Sequence, residues 1–254
     1  MKTELELRKA ICEVGKRLYL RNLVAATDGN ISIRMGPDRF LCTPSGVSKY
    51  DIAPNDVLIA DREGKRVAGQ GRVTSEFFTH LAAYEERSDI SAVVHAHPPK
   101  ATAFTLAGVS LADCVLPEVV YTIGGIPTAH YATPATREGS EAIRELIRKC
   151  DALMMDRHGA VTVGVNVFDA LFKMEKIEHA AEVLLTAHIL GNIRKLDPNE
   201  VEKLYRVRRD YGVSGQAYAC QLPGDAGTQS PCGCQAERPE LDRVVEQTLR
   251  ELGA

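Results

Sequence analysis

The chain has no tryptophan, and aromatic residues make up only 6% of its 254 positions. It also lacks any concentrated run of Lys and Arg, and its formal net charge is -3. A nucleic-acid partner requires a basic patch to neutralise phosphates, so this balance argues against one. No stretch reaches the roughly 18 consecutive apolar residues of a membrane-spanning helix, which argues against a membrane partner. The opening Met1-Lys2-Thr3-Glu4 leads into a charged amphipathic segment and not into a signal-peptide core. A cytoplasmic protein is expected. Cysteine is sparse and odd in number, at seven. Cys12, Cys42, Cys114 and Cys150 stand singly in apolar surroundings, which predicts reduced, buried thiols and no disulfide framework. Cys220, Cys232 and Cys234 lie apart from these, and a C-x-C without a nearby second pair is a poor match to zinc-finger spacing.

What remains is an ordinary globular composition, 44% hydrophobic and 26% charged. Residues 3 to 20 place Leu5, Ile11 and Leu18 at helical spacing. The period then changes to two: residues 29 to 34 alternate apolar and polar, and Gly36-Pro37-Asp38 turns the chain into a second strand over 39 to 43. Short β-like runs follow at 57 to 60 and 66 to 68, then a helix from 75 to about 87 with Phe78, Leu81 and Ala82 inward. A strand covers 92 to 97, a strand-like run 119 to 123, a helix 136 to 150, two buried strands 152 to 155 and 160 to 163, and helices 167 to 190 and 198 to 209. Helices and strands are interleaved, yet the strands come in hairpin pairs. This predicts an α/β chain of the α+β type, with a mostly antiparallel central sheet flanked by helices.

From residue 212 to 236 Gly, Ser, Gln, Pro and Ala dominate, which reads as a flexible linker behind a domain spanning 1 to 211. Beyond it, Leu241, Val244, Val245, Leu249 and Leu252 form one helical stripe over 237 to 254. A tethered amphipathic helix of this kind either docks into a partner's groove, as encapsulation peptides do on bacterial microcompartment shells, or packs on its own oligomer.

The chemistry concentrates at Val94-His95-Ala96-His97. On a strand, the period of two points both imidazoles at one spot. Taken alone, the pair fits a core histidine beside a surface one as well as it fits a metal site. Two further groups have suitable chemistry: His158, between two predicted strands, and Glu76, near the start of a helix. Histidine nitrogen with carboxylate oxygen is a normal ligand set for zinc. Three turns upstream, Asp28-Gly29-Asn30, Thr43-Pro44-Ser45-Gly46 and Thr74-Ser75, combine small or hydroxyl side chains with exposed N–H groups, the usual basis of phosphate binding. Asp28 places a negative charge beside that cradle and must point away from a bound anion.

The order Gly29-Asn30, Thr43-Pro44-Ser45-Gly46, Ser75-Glu76, His95-Ala96-His97, His158-Gly159 resembles the class II aldolase/adducin family, and most of all its fuculose-phosphate aldolase branch, over about residues 5 to 205. The resemblance implies a three-layer αβα fold, and a homotetramer with sites between neighbouring subunits. It implies Zn2+, or Mn2+ or another divalent ion, held by Glu76, His95, His97 and His158. It also implies a substrate phosphate cradled by Gly29, Asn30, Ser45, Gly46, Thr74 and Ser75. The implied activity is cleavage of a ketose 1-phosphate, like L-fuculose 1-phosphate, to dihydroxyacetone phosphate and a small aldehyde such as lactaldehyde. Glu76 is suited to a second role in moving the enediol proton. A further acid–base group is expected just before Gly124-Gly125, where Glu118 is the candidate and Tyr121 follows three residues later. A 4-epimerase or decarboxylase on the same scaffold, or a non-catalytic adducin-like interaction module, are the rival readings. The last lacks the metal ligands present here.

Overall fold

A computed structural model describes residues 2–191 and 193–222. It contains an eight-stranded sheet in the order β4-β3-β2-β1-β5-β8-β7-β6. The elements are α1 (Glu4–Leu20), β1 (Asn30–Gly36), β2 (Arg39–Cys42), β3 (Leu58–Ala60), β4 (Arg66–Ala68), α2 (Phe77–Glu86), β5 (Ala92–Ala96) and α3 (Pro99–Leu106). Then come α4 (Pro117–Thr122), β6 (Thr128–Ala129), α5 (Arg137–Ile147), β7 (Ala152–Met155), β8 (Gly159–Gly164), α6 (Val167–Leu190) and α7 (Pro198–Asp210). Every strand pair is antiparallel except β6–β7.

Two apolar layers sandwich the sheet. Ile31 and Ile33 on β1, Ala92, Val94 and Ala96 on β5, and Met154 on β7 face one side, where α1 and α6 cover them. Val93, Leu153, Val161 and Val163 face the other, against Phe77 and Leu81 of α2 and Ile143 and Ile147 of α5. The alternation along β5 therefore sends His95 to the α2 side, the side from which Glu76 comes. The central strands are buried on both faces because helices cover both, which fixes their register.

Local chemistry accounts for the ends of the elements. Thr3 and Glu6 form a reciprocal capping box at α1, and Asn166 accepts from Phe168 and Asp169 N–H at α6. The buried stripe of α1 is Ala10, Ile11, Val14 and Leu18, while Leu5 is exposed. On α2, Leu81 and Ala82 are buried as expected but Phe78 is half exposed.

Three expectations are corrected. The β-branched run at 119 to 123 is the helix α4, because Pro117 sits at its first turn, where a missing N–H costs nothing, and Val120 packs against Val201 of α7. Cys114 is not a reduced thiol; it forms a disulfide with Cys220, 106 residues away, while Cys12, Cys42 and Cys150 are free. The segment after residue 211 is not a free linker as far as residue 222. Gly125 N–H donates to Tyr218 O (2.9 Å), Gln221 N–H to Ala112 O (2.8 Å) and Asp151 N–H to Gln216 O (3.0 Å). The Arg208 guanidinium ties it down further, donating to Ser214 O and Gly215 O as well as Tyr121 O. Composition misses this strap because backbone hydrogen bonds and the Cys114–Cys220 disulfide hold it along with only a few packed side chains, Tyr218, Cys220 and Leu222. The expected linker beyond it, Cys232, Cys234 and the helix over 237 to 254 lie outside the described residues. No helix among the described residues is long and apolar enough to cross a membrane.

Candidate metal centre

Glu76, His95, His97 and His158 converge: one ligand atom from each lies within 4.8 Å of all the others. His95 Nε2 stands 3.1 Å from His97 Nε2 and 3.2 Å from Glu76 Oε2, and His158 Nε2 stands 3.2 Å from Glu76 Oε1. Three segments supply them. His95 is on β5 and His97 just past its end; His158 sits in the β7–β8 turn; Glu76 is the N-cap residue of α2, one position outside the helix instead of its second residue. Thr74 shapes that entry, its Oγ1 facing the Glu76 N–H at 3.4 Å and its carbonyl accepting from Phe77 N–H.

Two of the three outward nitrogens face oxygen, while His158 Nδ1 is buried without a hydrogen-bond partner among the described residues. His95 Nδ1 lies 2.9 Å from Ala160 O, and a carbonyl can only accept, so Nδ1 carries the proton and neutral His95 turns a lone pair on Nε2 into the cluster. His97 Nδ1 faces Asp28 Oδ2 at 3.6 Å. This is how Asp28 resolves the conflict posed by its charge: it turns to an imidazole. Imidazoles backed by a carbonyl or carboxylate are the common arrangement around bound metal. Gly159 allows the close packing, since a Cβ there would lie 2.4 Å from Ala96 O and 2.7 Å from His97 Cδ2.

Electrostatics favour the ligand-competent forms of Glu76, His97 and His158, and the protonated form of His95. Burial opposes ionisation of Glu76, but the charges and hydrogen bonds of His95, together with His158 and Asn30, outweigh it and hold its carboxyl well below the usual carboxylate range. Burial, followed by the charge of His95, pushes His97 and His158 down to about 4. Burial also disfavours a charged His95, yet the Glu76 carboxylate overcomes this and raises its pKa. One carboxylate and three Nε2 atoms, largely withdrawn from water and with two outward nitrogens backed by oxygen, fit a divalent ion such as zinc.

The three expected anion-binding turns are brought together. Ile31 N–H donates to Thr43 Oγ1 and Thr43 N–H to Ile31 O, which ties the first turn to the second. Pro44 bridges Val73, and Ser45 N–H donates to Arg72 O, which ties the second to the third. Gly29 (φ +73°) and Gly46 (φ +76°) occupy the left-handed region, and a Cβ on Gly29 would press on Val24 and on His95 O. Ser45 is half-buried, Gly46 and Ser75 are exposed, and Thr74 and Asn30 are buried. Beneath the first two turns the buried Lys49 ammonium donates to Thr27 O and Val47 O. Glu118 is not drawn into the cluster of its own chain; its carboxylate is exposed on α4, beside Lys176.

One residue of the site escaped the sequence reading, and a second was read without its partner. Asp28 was visible but its partner was not. His80, fully buried, bonds to Asn30 and Ser32; the signal for it is its position four residues after Glu76, on the same helical face.

The αβα sandwich, with three histidines and a glutamate brought together at one end of its central strands, agrees with the fold expected of a class II aldolase. The chain belongs to the class II aldolase and adducin family, whose Class II Aldolase and Adducin N-terminal domain matches residues 9–185. It is 30% identical over 210 residues to a 5-deoxy-D-ribulose 1-phosphate aldolase of Bacillus thuringiensis serovar kurstaki, covering 81% of this chain and 96% of the relative. It is 32% identical over 190 residues to a 3-oxo-tetronate 4-phosphate decarboxylase of Cupriavidus necator, covering 73% and 87%. Among solved structures, an L-fuculose 1-phosphate aldolase superposes with a TM-score of 0.74 at 25% identity, covering 80% of this chain and 96% of that one.

Proposed function

We propose that this protein is a divalent-metal-dependent aldolase that cleaves a ketose 1-phosphate, of the L-fuculose 1-phosphate or 5-deoxyribulose 1-phosphate kind, to dihydroxyacetone phosphate and a small aldehyde such as lactaldehyde. The observation that carries this reading is the convergence of Glu76, His95, His97 and His158 beside three anion-binding turns stitched to one another. Those four residues would hold the ion, Zn2+ or Mn2+. When bound, it supplies Lewis-acid polarisation of the ketose carbonyl and offsets the negative charge left on the substrate oxygens as the carbon–carbon bond breaks.

The chain's own groups do the rest. Gly29, Asn30, Ser45, Gly46, Thr74 and Ser75 cradle the phosphate with backbone N–H and hydroxyl groups, and the Lys49 charge below offsets that of Asp28. Glu76, ionised and at the centre of the cluster, moves the proton at the enediol carbon. The hydroxyl on the departing half must lose its proton to a second group, for which Glu118 on α4 is the candidate. Because Glu118 is exposed on α4 and outside its own chain's cluster, this role goes with a site shared between subunits, as in a homotetramer. The segment 237 to 254 is read as a docking helix, toward a microcompartment shell or its own oligomer. Fusing it to a fluorescent protein in a shell-forming host separates the two, since a diffuse signal rejects the shell.

The test is a panel of ketose 1-phosphates assayed for dihydroxyacetone phosphate. Chelation should abolish release and added zinc or manganese restore it. Full turnover by metal-free protein would overturn the reading. The decarboxylase relative supports a second reading on the same site, which release of carbon dioxide in place of an aldehyde would establish.

A further inference from the structure

A file of buried polar groups runs from the metal cluster into the core behind it. Asn30 Nδ2 lies 2.9 Å from Glu76 Oε2. The other end of that amide, Oδ1, meets His80 Nε2. His80 Nδ1 lies 2.7 Å from Ser32 Oγ, and Ser32 Oγ lies 2.8 Å from Tyr84 OH. Asn30, Ser32, His80 and Tyr84 are each no more than 4% exposed. They come from β1 and α2, two elements that face each other across the site's inner wall.

The direction of every bond follows from one end. An ionised Glu76 can only accept, so the Asn30 amide must donate with its nitrogen, which turns Oδ1 to His80. Oδ1 can only accept, so His80 carries its proton on Nε2. Neutral His80 then accepts at Nδ1 from the Ser32 hydroxyl. Ser32, having given its single proton, accepts from Tyr84. Reversing any one bond sets two donors or two acceptors face to face among buried side chains, at a cost of about 1–3 kcal/mol.

We propose that His80 is a positioning residue for Glu76: through Asn30, and with its tautomer set by Ser32 and Tyr84, it fixes which oxygen of the Glu76 carboxylate takes the amide N–H and so orients that carboxylate in the cluster. Oε2 is engaged by Asn30, while Oε1 remains on the His158 side. The same bond holds the Asn30 amide in one orientation, so the side chain expected at the phosphate also serves the cluster. This inference rests on the reading of the four-residue cluster as a metal site used in aldol cleavage.

The test uses full-length protein loaded with Co2+ or Zn2+, comparing His80→Leu, His80→Gln, Asn30→Ala and the double variant. Three quantities are read: ion bound per chain, the visible Co2+ spectrum, and kcat and KM for a ketose 1-phosphate that wild-type protein cleaves. His80→Leu should shift the Co2+ bands and lower kcat about 10- to 100-fold, the usual consequence of losing a group that orients a metal ligand. KM should change less. His80→Gln keeps an N–H donor at the end of the side chain and should recover most of the loss. Adding His80→Leu to Asn30→Ala should do little more than Asn30→Ala alone, because His80 acts through Asn30.

An unchanged spectrum and kcat in His80→Leu, or losses that add in full in the double variant, would overturn the proposal. So would equal losses in the Gln and Leu variants. If the leucine variant does not fold, Ser32→Ala removes the donor to His80 and is read by the same spectrum; unchanged bands there also overturn it. Absence of any ketose phosphate cleavage by wild type would refute the functional reading instead, and the Co2+ spectra would still decide the role of His80.

Discussion

Replacing Gly159 with alanine adds one methyl group at the most crowded point of the site. That methyl would sit 2.4 Å from Ala96 O and 2.7 Å from His97 Cδ2, against an ordinary carbon contact of 3.4 Å or more. The first neighbour is backbone of β5, the strand paired with β8 through Ala96 and Ala160, and it cannot swing aside. The two strands must part by about 1 Å, and His97 must leave its place beside His95. Overpacking of this kind costs about 1–3 kcal/mol of stability. The displaced imidazole should weaken metal binding at least about tenfold.

Urea unfolding with and without zinc reads both effects. Metal at 100 times the wild-type Kd adds about 2.7 kcal/mol of stability; at a tenfold weaker Kd the same concentration adds only about 1.4 kcal/mol. A Gly159→Ala protein with the wild-type midpoint and the wild-type gain from zinc would refute the packing account of this glycine.

Two further outcomes test other parts of the structure. Cys220→Ser opens a loop closed over 106 residues of separation, which in the chain-entropy model costs about 4–5 kcal/mol; denaturant titration should show a loss of that order, vanishing when wild type is compared under reducing conditions, and an unchanged midpoint would mean that the strap owes nothing to the covalent link. Burial, only partly countered by Asp28, pushes the Lys49 ammonium down to about 8. Because the unfolded chain keeps its proton up to the ordinary value near 10.5, it binds more protons than the folded one between about pH 8 and 10.5. Stability should therefore rise with pH through that window by up to about 3 kcal/mol from this group, with the full penalty present below it. Lys49→Met should flatten that rise, and parallel pH curves for the two proteins would contradict it.

Much of this was legible in the residues. The alternation along 29 to 34 and the apolar runs at 92 to 97, 152 to 155 and 160 to 163 are strands because period and burial agree there, and the helix at 167 to 190 has both its asparagine cap and its length written in the chain. His95 and His97 could be paired because the strand period aligns them; adding Glu76 and His158 to them rested on the resemblance to the class II aldolase/adducin family. What was lost depends on distant partners. Val119 and Val120 favour a strand by shape, and only α7 and Pro117 make them helical. Cys114 has no neighbour in sequence that announces Cys220. His80 lies outside any metal-ligand spacing, and its meaning appears once β1 lies beside α2 and Asn30 comes within reach.

The strand order carries a consequence for how the chain reaches this state. Strands β1 to β4 form one meander and β7–β8 a hairpin, closed by short connections except for the longer one between β2 and β3, while β5 is the seam that joins them. Its pairings with β1 and β8 span about 60 to 70 residues of sequence, so they are the ones with the greatest loop-closure cost and the slowest to form. If β5 slips by one residue it turns His95 and His97 to the opposite face, away from Glu76. Metal capture during refolding thus marks the moment when the seam has closed in register, and a chain that has folded both halves but mispaired the seam would be compact, helical and unable to hold the ion.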